Sequence, residues 1–256
     1  MRARLEAAGK RFARLATRAV VARPSLWRLF RSPIRRQFGR LAPVWETRIG
    51  PEGLLPLEAA LERLETPPRR VLDLGTGTGK AARAVAERFP QAEVVGVDLA
   101  PEMVAEATRL LPAELHEHVS FEAADGANLP YEDGAFDLVV LQNAIPFFEE
   151  LARVTAPGGT VIFAFSRGAD TPIWVPPDTL RAHFEKLGFD RFQELAAGTG
   201  TAFLAARGSP VRILAKRRPR RGSTGPDVVF RRAQGQVARA GIEPATPRFS
   251  AVCSTN

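Results

Sequence analysis

Gly75, Gly77 and Gly79 alternate directly after the apolar run Val71-Leu72-Asp73-Leu74. Glycine tolerates positive φ and lets a ligand approach the backbone closely. A loop of this kind, read as opening a helix near Thr78, offers free N–H groups at the end of a strand, where open α/β sheets bind ligands. Asp98 ends the next apolar strand about 20 residues on, the place from which a carboxylate accepts both hydroxyl protons of a nucleoside ribose. It could also serve simply as a helix N-cap. The loop is not a P-loop, because Leu74 stands where the first glycine belongs and Ala81 replaces the magnesium-binding hydroxyl. It also misses the dinucleotide fingerprint, because Lys80 occupies the third glycine position.

These residues need a scaffold, and the pattern from residue 69 onward provides one. Apolar strands are expected at 70–74, 92–97, 119–123, 136–141 and 160–165, separated by helices at 80–88, 101–111 and 146–154. A further helix is expected at 178–187, with Asp178 as N-cap and Gly188 after its end. Strands at 192–196 and 201–206 face each other across Ala197-Gly198-Thr199-Gly200 and read as a hairpin. The fold class is therefore α/β, a Rossmann-like doubly wound, mostly parallel sheet with a C-terminal antiparallel hairpin. N-terminal helices precede it, at 1–22, 34–49 and 52–65. Pro24 and Ser32-Pro33 are read as interruptions, and Leu54, Leu57, Leu61 and Leu64 as one face of the third helix.

The chain has 256 residues and a net charge of +8. Residues 1–50 carry +11, residues 51–65 carry −3, residues 66–207 carry −8 and residues 208–256 carry +8. This divides the chain into a basic helical arm (1–65), a ligand-binding domain (66–207) and a basic tail (208–256) expected to be disordered. The arm reads either as a solvated face or as a contact for nucleic acid or an anionic membrane. One cysteine, Cys253, excludes an internal disulfide and argues against a thiolate zinc site, so no metal is expected. No run is long and apolar enough for a membrane helix, and a cytoplasmic protein is expected.

Further pieces follow the glycine loop in order: Gly96-Val97-Asp98, then Ala124-Asp125-Gly126-Ala127-Asn128-Leu129-Pro130-Tyr131, then Asp133-Gly134 with Phe136-Asp137-Leu138-Val139, then Arg153-Val154 and Gly158-Gly159. The ordered series, over residues 69–207, resembles the class I S-adenosylmethionine (SAM)-dependent methyltransferases. It is most similar to the small-molecule branch that includes the quinone-biosynthesis enzymes. The resemblance implies SAM as cofactor and a methyl acceptor that is a small molecule. It implies that Gly75, Gly77 and Gly79 pass the methionine part and that Asp73 accepts from its ammonium. Asp98 would bind the ribose, Asp125 the adenine amine with Gly126 beside the ring, and Leu99 or Met103 would pack on the adenine face. Gln142 and Asn143 would lie near the transferable methyl group.

Asp125 before glycine is also ordinary turn chemistry. Gln142-Asn143-Ala144-Ile145 departs from the Asn/Asp-Pro-Pro-aromatic motif of many amino-group methyltransferases, which disfavours adenine or glutamine N-methylation. His116, His118 and His183 lie outside the expected acceptor region, so no catalytic base is assigned. Phe38, Val44 and Trp45 read equally well as a lid over the acceptor pocket or as a cover for the sheet. The competing functions are a SAM-binding protein without turnover, a nicotinamide-dependent oxidoreductase and an RNA-modifying methyltransferase using the basic arm.

Overall fold

The computed structural model describes residues 2–47 and 50–208. The expectation for the tail falls on residues 209–256, outside the described residues. A single seven-stranded sheet forms the centre, in the order β3 (Val119–Ala123), β2 (Glu93–Asp98), β1 (Arg70–Leu74), β4 (Phe136–Gln142), β5 (Thr155–Phe165), β7 (Gly200–Arg207), β6 (Phe189–Ala197). The first five strands run parallel, and β7 and β6 form the antiparallel hairpin at one edge.

Strand polarity explains the layers. Alternate residues of a strand face opposite sides, so a strand covered on both sides is apolar throughout. Leu72, Val139, Val161 and Phe163 face one layer, packed with α6 (Phe148–Val154) and α7 (Pro177–Lys186) through Leu151, Leu180 and Phe184. Val71, Leu138, Val140 and Ile162 face the other, against α3 (Leu55–Leu61) and α4 (Lys80–Arg88). The face of α4 is small (Ala81, Ala82, Val85, Ala86), so this helix lies close to the sheet directly behind the glycine loop. Leu57 and Leu61 of α3 are buried, with Leu54 and Leu64 packed at the margin, although the α-helical part of this segment is shorter than expected.

Several boundaries differ from the sequence reading. β5 begins at Thr155, not residue 160, because Thr155 pairs with Phe136 across a register shift. Pro157-Gly158-Gly159 is thus an irregularity inside the strand. A Cβ on Gly159 would stand 2.9 Å from the carbonyl oxygens of Ala156 and Asp137, which is why glycine sits there. Asp178 does not cap α7; the cap position is Pro176, without a side-chain bond. Gly188 does follow the helix at φ +85°.

The arm shows the largest difference. α1 (Arg2–Ala22) matches its expectation, but α2 (Trp27–Trp45) runs unbroken through Pro33 and Pro43. A proline inside a helix costs about 3 kcal/mol. Trp27 and Ile34 are buried by the same helix, with Phe38 and Trp45 packed beside them, and each buried large apolar side chain returns about 1.5–3 kcal/mol. Packing on the domain outweighs the local break.

Candidate functional site

The order of strand addition reverses between β1 and β4, and such a switch point opens a crevice beyond the carboxyl ends of the strands. Gly75 and Gly77 stand on one side of it, and Gln142, Asn143 and Ala144 on the other. Gly75 (φ +75°) and Gly77 (φ +55°) adopt left-handed conformations. The Gly75 and Thr76 N–H groups both donate to the Val97 carbonyl, which folds the loop down onto β2. A methyl on Gly75 would meet Ala144 Cβ at 2.5 Å, so the missing side chain keeps the crevice open. Gly79 does not line it. Its φ of +81° and the Phe121 ring, 2.6 Å from a would-be Cβ, make it a helix-start and packing glycine, and α4 begins at Lys80, as the pattern over 80–88 predicts.

Two carboxylates hold this loop from the neighbouring strands: Asp73 within β1, which does not itself line the crevice, and Asp98 at the end of β2, which does. Asp73 is fully buried; its Oδ2 accepts from Thr76 Oγ1 at 2.6 Å and from the Ala82 N–H at 3.0 Å. Its Oδ1 is buried with no partner. Burial pushes its pKa up from 3.8 to about 7, against the lowering effect of those two bonds. Unpartnered carboxylate oxygens are costly in a protein interior and point to a missing donor. Asp98 Oδ2 accepts from the Gly77 N–H at 3.0 Å and its Oδ1 from the Ala100 N–H at 2.9 Å. Burial raises its pKa too. The bond from Ala100 fixes the turn before α5 (Pro101–Leu110), but Asp98 is not the N-cap of that helix: the cap position is Ala100, without a side-chain bond, and the Asp98 carboxylate lines the crevice instead.

Leu99, Met103 and Gly126 line the same crevice. Asp125 does not. Its Oδ1 accepts from Trp27 Nε1 at 2.8 Å and from the Ala127 N–H at 3.0 Å, and its Oδ2 pairs with Arg31 Nε at 3.0 Å. It serves both its own turn and the arm.

The arm is the roof of the pocket. Phe12 and Ala13 of α1, with Trp27, Ile34, Gln37, Phe38 and Trp45 of α2, close the crevice from above. Of the three residues read as a lid, Phe38 and Trp45 line the pocket, whereas Val44 is 49% exposed on the outer side. Polar contacts fasten α2 at both ends. At its start Trp27 and Arg31 hold Asp125. At its end Glu46 accepts from Thr78 Oγ1 at 2.6 Å and Arg83 Nη2 at 3.0 Å, while its carbonyl accepts from Lys80 Nζ at 2.6 Å. Trp27, Arg31 and Glu46 were missed in the sequence because their partners lie 32 to 98 residues away. Glu46 did carry a signal, being the one acidic residue in an otherwise basic stretch from 7 to 51.

At the far side, Gln142 Nε2 donates to the Gly53 carbonyl at 3.0 Å and to Ser166 Oγ at 2.9 Å. Asn143 Nδ2 donates to the same hydroxyl at 2.6 Å, and its Oδ1 accepts from the Ser166 N–H. Ser166, at the end of β5, thereby fixes both amides, and Gln142 Oε1 is left buried and unpartnered. Lys80 and Asp98 are the ionisable side chains lining the pocket. His183, on α7, stacks on Phe148 of α6 and does not line the pocket. Among the described residues no cluster of His, Cys, Asp or Glu could hold a metal ion, and no helix is long and apolar enough to cross a membrane.

The family model described as a methyltransferase domain matches residues 71–159, the segment that contains the glycine loop and both crevice walls. The chain is 47% identical over 106 residues to a demethylmenaquinone methyltransferase of Thermus thermophilus, covering 39% of this chain and 48% of that protein. It is 46% identical over 114 residues to a malonyl-[acyl-carrier protein] O-methyltransferase of Halorhodospira halophila, covering 41% of this chain and 38% of that protein. It thus spans about half or less of the curated relatives it matches. A SAM-dependent methyltransferase structure from Aquifex aeolicus shares the fold at TM-score 0.53 and 18% identity, over 63% of this chain and 95% of that one.

Proposed function

We propose that this chain, whose residues 71–159 match a methyltransferase domain, is a class I SAM-dependent methyltransferase that transfers a methyl group from SAM to a small-molecule acceptor. The observation that carries the assignment of the binding residues is the orphaned Asp73 Oδ1, two residues before a glycine that has no room for a Cβ, Gly75. A buried acceptor near that loop suits an ammonium group, and Asp98 at the crevice wall suits a ribose. Residues 66–207 form the cofactor domain; α1 and α2 are its roof, whereas α3 belongs to the layer that covers the sheet.

Bound there, SAM supplies a methyl group already activated by its positive sulfur. The protein's work is alignment and exclusion of water. Gly75 and Gly77 let the ligand lie against the backbone, and Leu99 and Met103 present an apolar wall for a base. Phe38 and Trp45 close the roof. Gln142 and Asn143, locked by Ser166, place a fixed carbonyl oxygen at the end of β4, where it accepts from an N–H or O–H of the incoming acceptor. An acceptor that enters already ionised, as a carboxylate or phenolate, has no proton to lose at the methylated atom, so an ionisable base is not required for it; a neutral phenol or quinol would have to give its proton to solvent before transfer. Asp125 contributes through the arm, by holding Trp27 and Arg31 over the site.

A radiolabelled-methyl assay tests this reading: the chain is incubated with methyl-labelled SAM and a panel of phenolic, quinol and carboxylate acceptors. Transfer of label that is lost in Gln142→Leu supports it. The short connection at residues 143–147 favours one competing reading, a SAM-binding protein without turnover. Tight SAM binding with no transfer to any acceptor would establish that reading instead.

A further inference from the structure

The outer side of the roof has a composition that the pocket does not explain. Residues 7–45 carry ten Lys/Arg and no Asp/Glu, and all ten are exposed. Among the described residues, Arg31 alone of these pairs with a carboxylate, that of Asp125. Three of the four large apolar side chains exposed among the described residues lie on the same two helices: Leu15 at 60%, Leu29 at 69% and Val44 at 49%. On α1, Arg11, Leu15 and Arg18 recur at helical spacing, on the side away from buried Ala16 and Val20. On α2, Leu29, Arg36, Arg40 and Val44 do the same, away from Trp27, Ile34 and Ala42.

Single exposed apolar side chains are ordinary on a solvated surface; here they alternate with cations along the outer sides of both helices. A nucleic-acid face would use the arginines, with aromatic rings for stacking or polar groups for reading bases. Here the aromatic rings of the arm, Phe12, Trp27, Phe30, Phe38 and Trp45, are buried or half-buried. Guanidinium groups on long apolar stems, interleaved with protruding Leu and Val, match a lipid headgroup layer: the cations meet anionic headgroups and the apolar tips enter the acyl boundary.

We propose that the outer face of α1 and α2 docks on the surface of an anionic lipid bilayer. The inner faces of these helices roof the pocket, so docking sets that roof against the lipid. The arrangement does not depend on which cofactor the pocket binds.

The test is vesicle flotation of the full chain with phosphatidylcholine alone and with an equal mixture of phosphatidylcholine and phosphatidylglycerol. Wild type should float with the mixed vesicles and stay in the soluble fraction with the neutral ones. Leu15→Glu/Leu29→Glu should reduce the floated fraction by roughly tenfold or more, since it removes apolar insertion and adds charge repelled by the lipid. Arg36→Glu/Arg40→Glu should reduce it too, and both effects should appear in variants whose thermal melts match wild type. The proposal is overturned if wild type does not bind mixed vesicles, or if the leucine variant floats like wild type. It is also overturned if a fluorescent RNA hairpin binds more tightly than the vesicles and is indifferent to the leucine substitutions.

Discussion

Gly75→Ala should cripple cofactor binding, and the structure gives the size of the effect in two parts. The residue sits at φ +75°, where a Cβ costs about 1–2 kcal/mol. That Cβ would also lie 2.5 Å from Ala144 Cβ, well inside contact distance, and overpacking of this kind costs about 1–3 kcal/mol. Together these make about 2–5 kcal/mol, or roughly 30-fold to several-thousand-fold in SAM affinity if the strain falls on the loop. The second part is separable. Ala144 Cα stands 3.7 Å away, an ordinary contact, so Ala144→Gly removes the clash and leaves the backbone strain. Gly75→Ala/Ala144→Gly should therefore recover about 5-fold to 150-fold of the loss and no more. The assay is calorimetric titration of SAM into wild type, both single variants and the double variant, with a thermal melt of each. Purely additive penalties, or a folded Gly75→Ala chain that binds within about twofold of wild type, would refute this account of the loop.

Four other outcomes are expected. With its pKa held near 7 by burial, Asp73 takes up a proton on folding between 3.8 and about 7. The free protein should therefore lose stability as pH rises through that window, and Asp73→Asn should flatten the trend in thermal melts. An ammonium beside Oδ1 favours the ionised form, so SAM binding should release protons below about pH 7 and tighten as pH rises towards it. Titrations in buffers of different ionisation enthalpy measure this, and pH-independent binding would contradict it. Glu46→Ala removes the bonds from Thr78 and Arg83 that fasten the end of α2. With this cluster partly exposed, a loss of about 1–2 kcal/mol is expected, seen as SAM dissociating about 5–30 times faster in stopped-flow displacement. Trp45 Nε1 lies 3.0 Å from where a Gly77 Cβ would be, so SAM should change the intrinsic fluorescence, and Trp45→Phe should remove most of that change.

What the sequence revealed follows from the range of the interactions involved. β1, α4 and β3 lie where the apolar runs and the Gly and Pro punctuation put them, since both signals are local. Gly75, Gly77, Asp98, Leu99, Gly126 and Gln142 line one crevice, because a strand-end loop and its neighbours fix their own geometry. The unbroken α2 was not legible, because the packing that offsets Pro33 and Pro43 comes from the domain it covers. Val44 was misjudged for a related reason: apolar character on a basic helix does not tell which side meets the pocket. Asp125 shows the same limit, since its partners Trp27 and Arg31 sit in another element nearly a hundred residues earlier. Ser166 had no signal at all until β5 brought it beside Gln142 and Asn143.

The central claim is tested most directly by calorimetric binding of SAM to the full chain, with NADH as control and with Asp98→Ala alongside, after melts confirm that both proteins are folded. The account predicts micromolar or tighter SAM binding, no NADH binding and a loss of about 100-fold or more in the variant, since two hydrogen bonds to a charged acceptor disappear. A folded wild type that ignores SAM, or that prefers NADH, would contradict it.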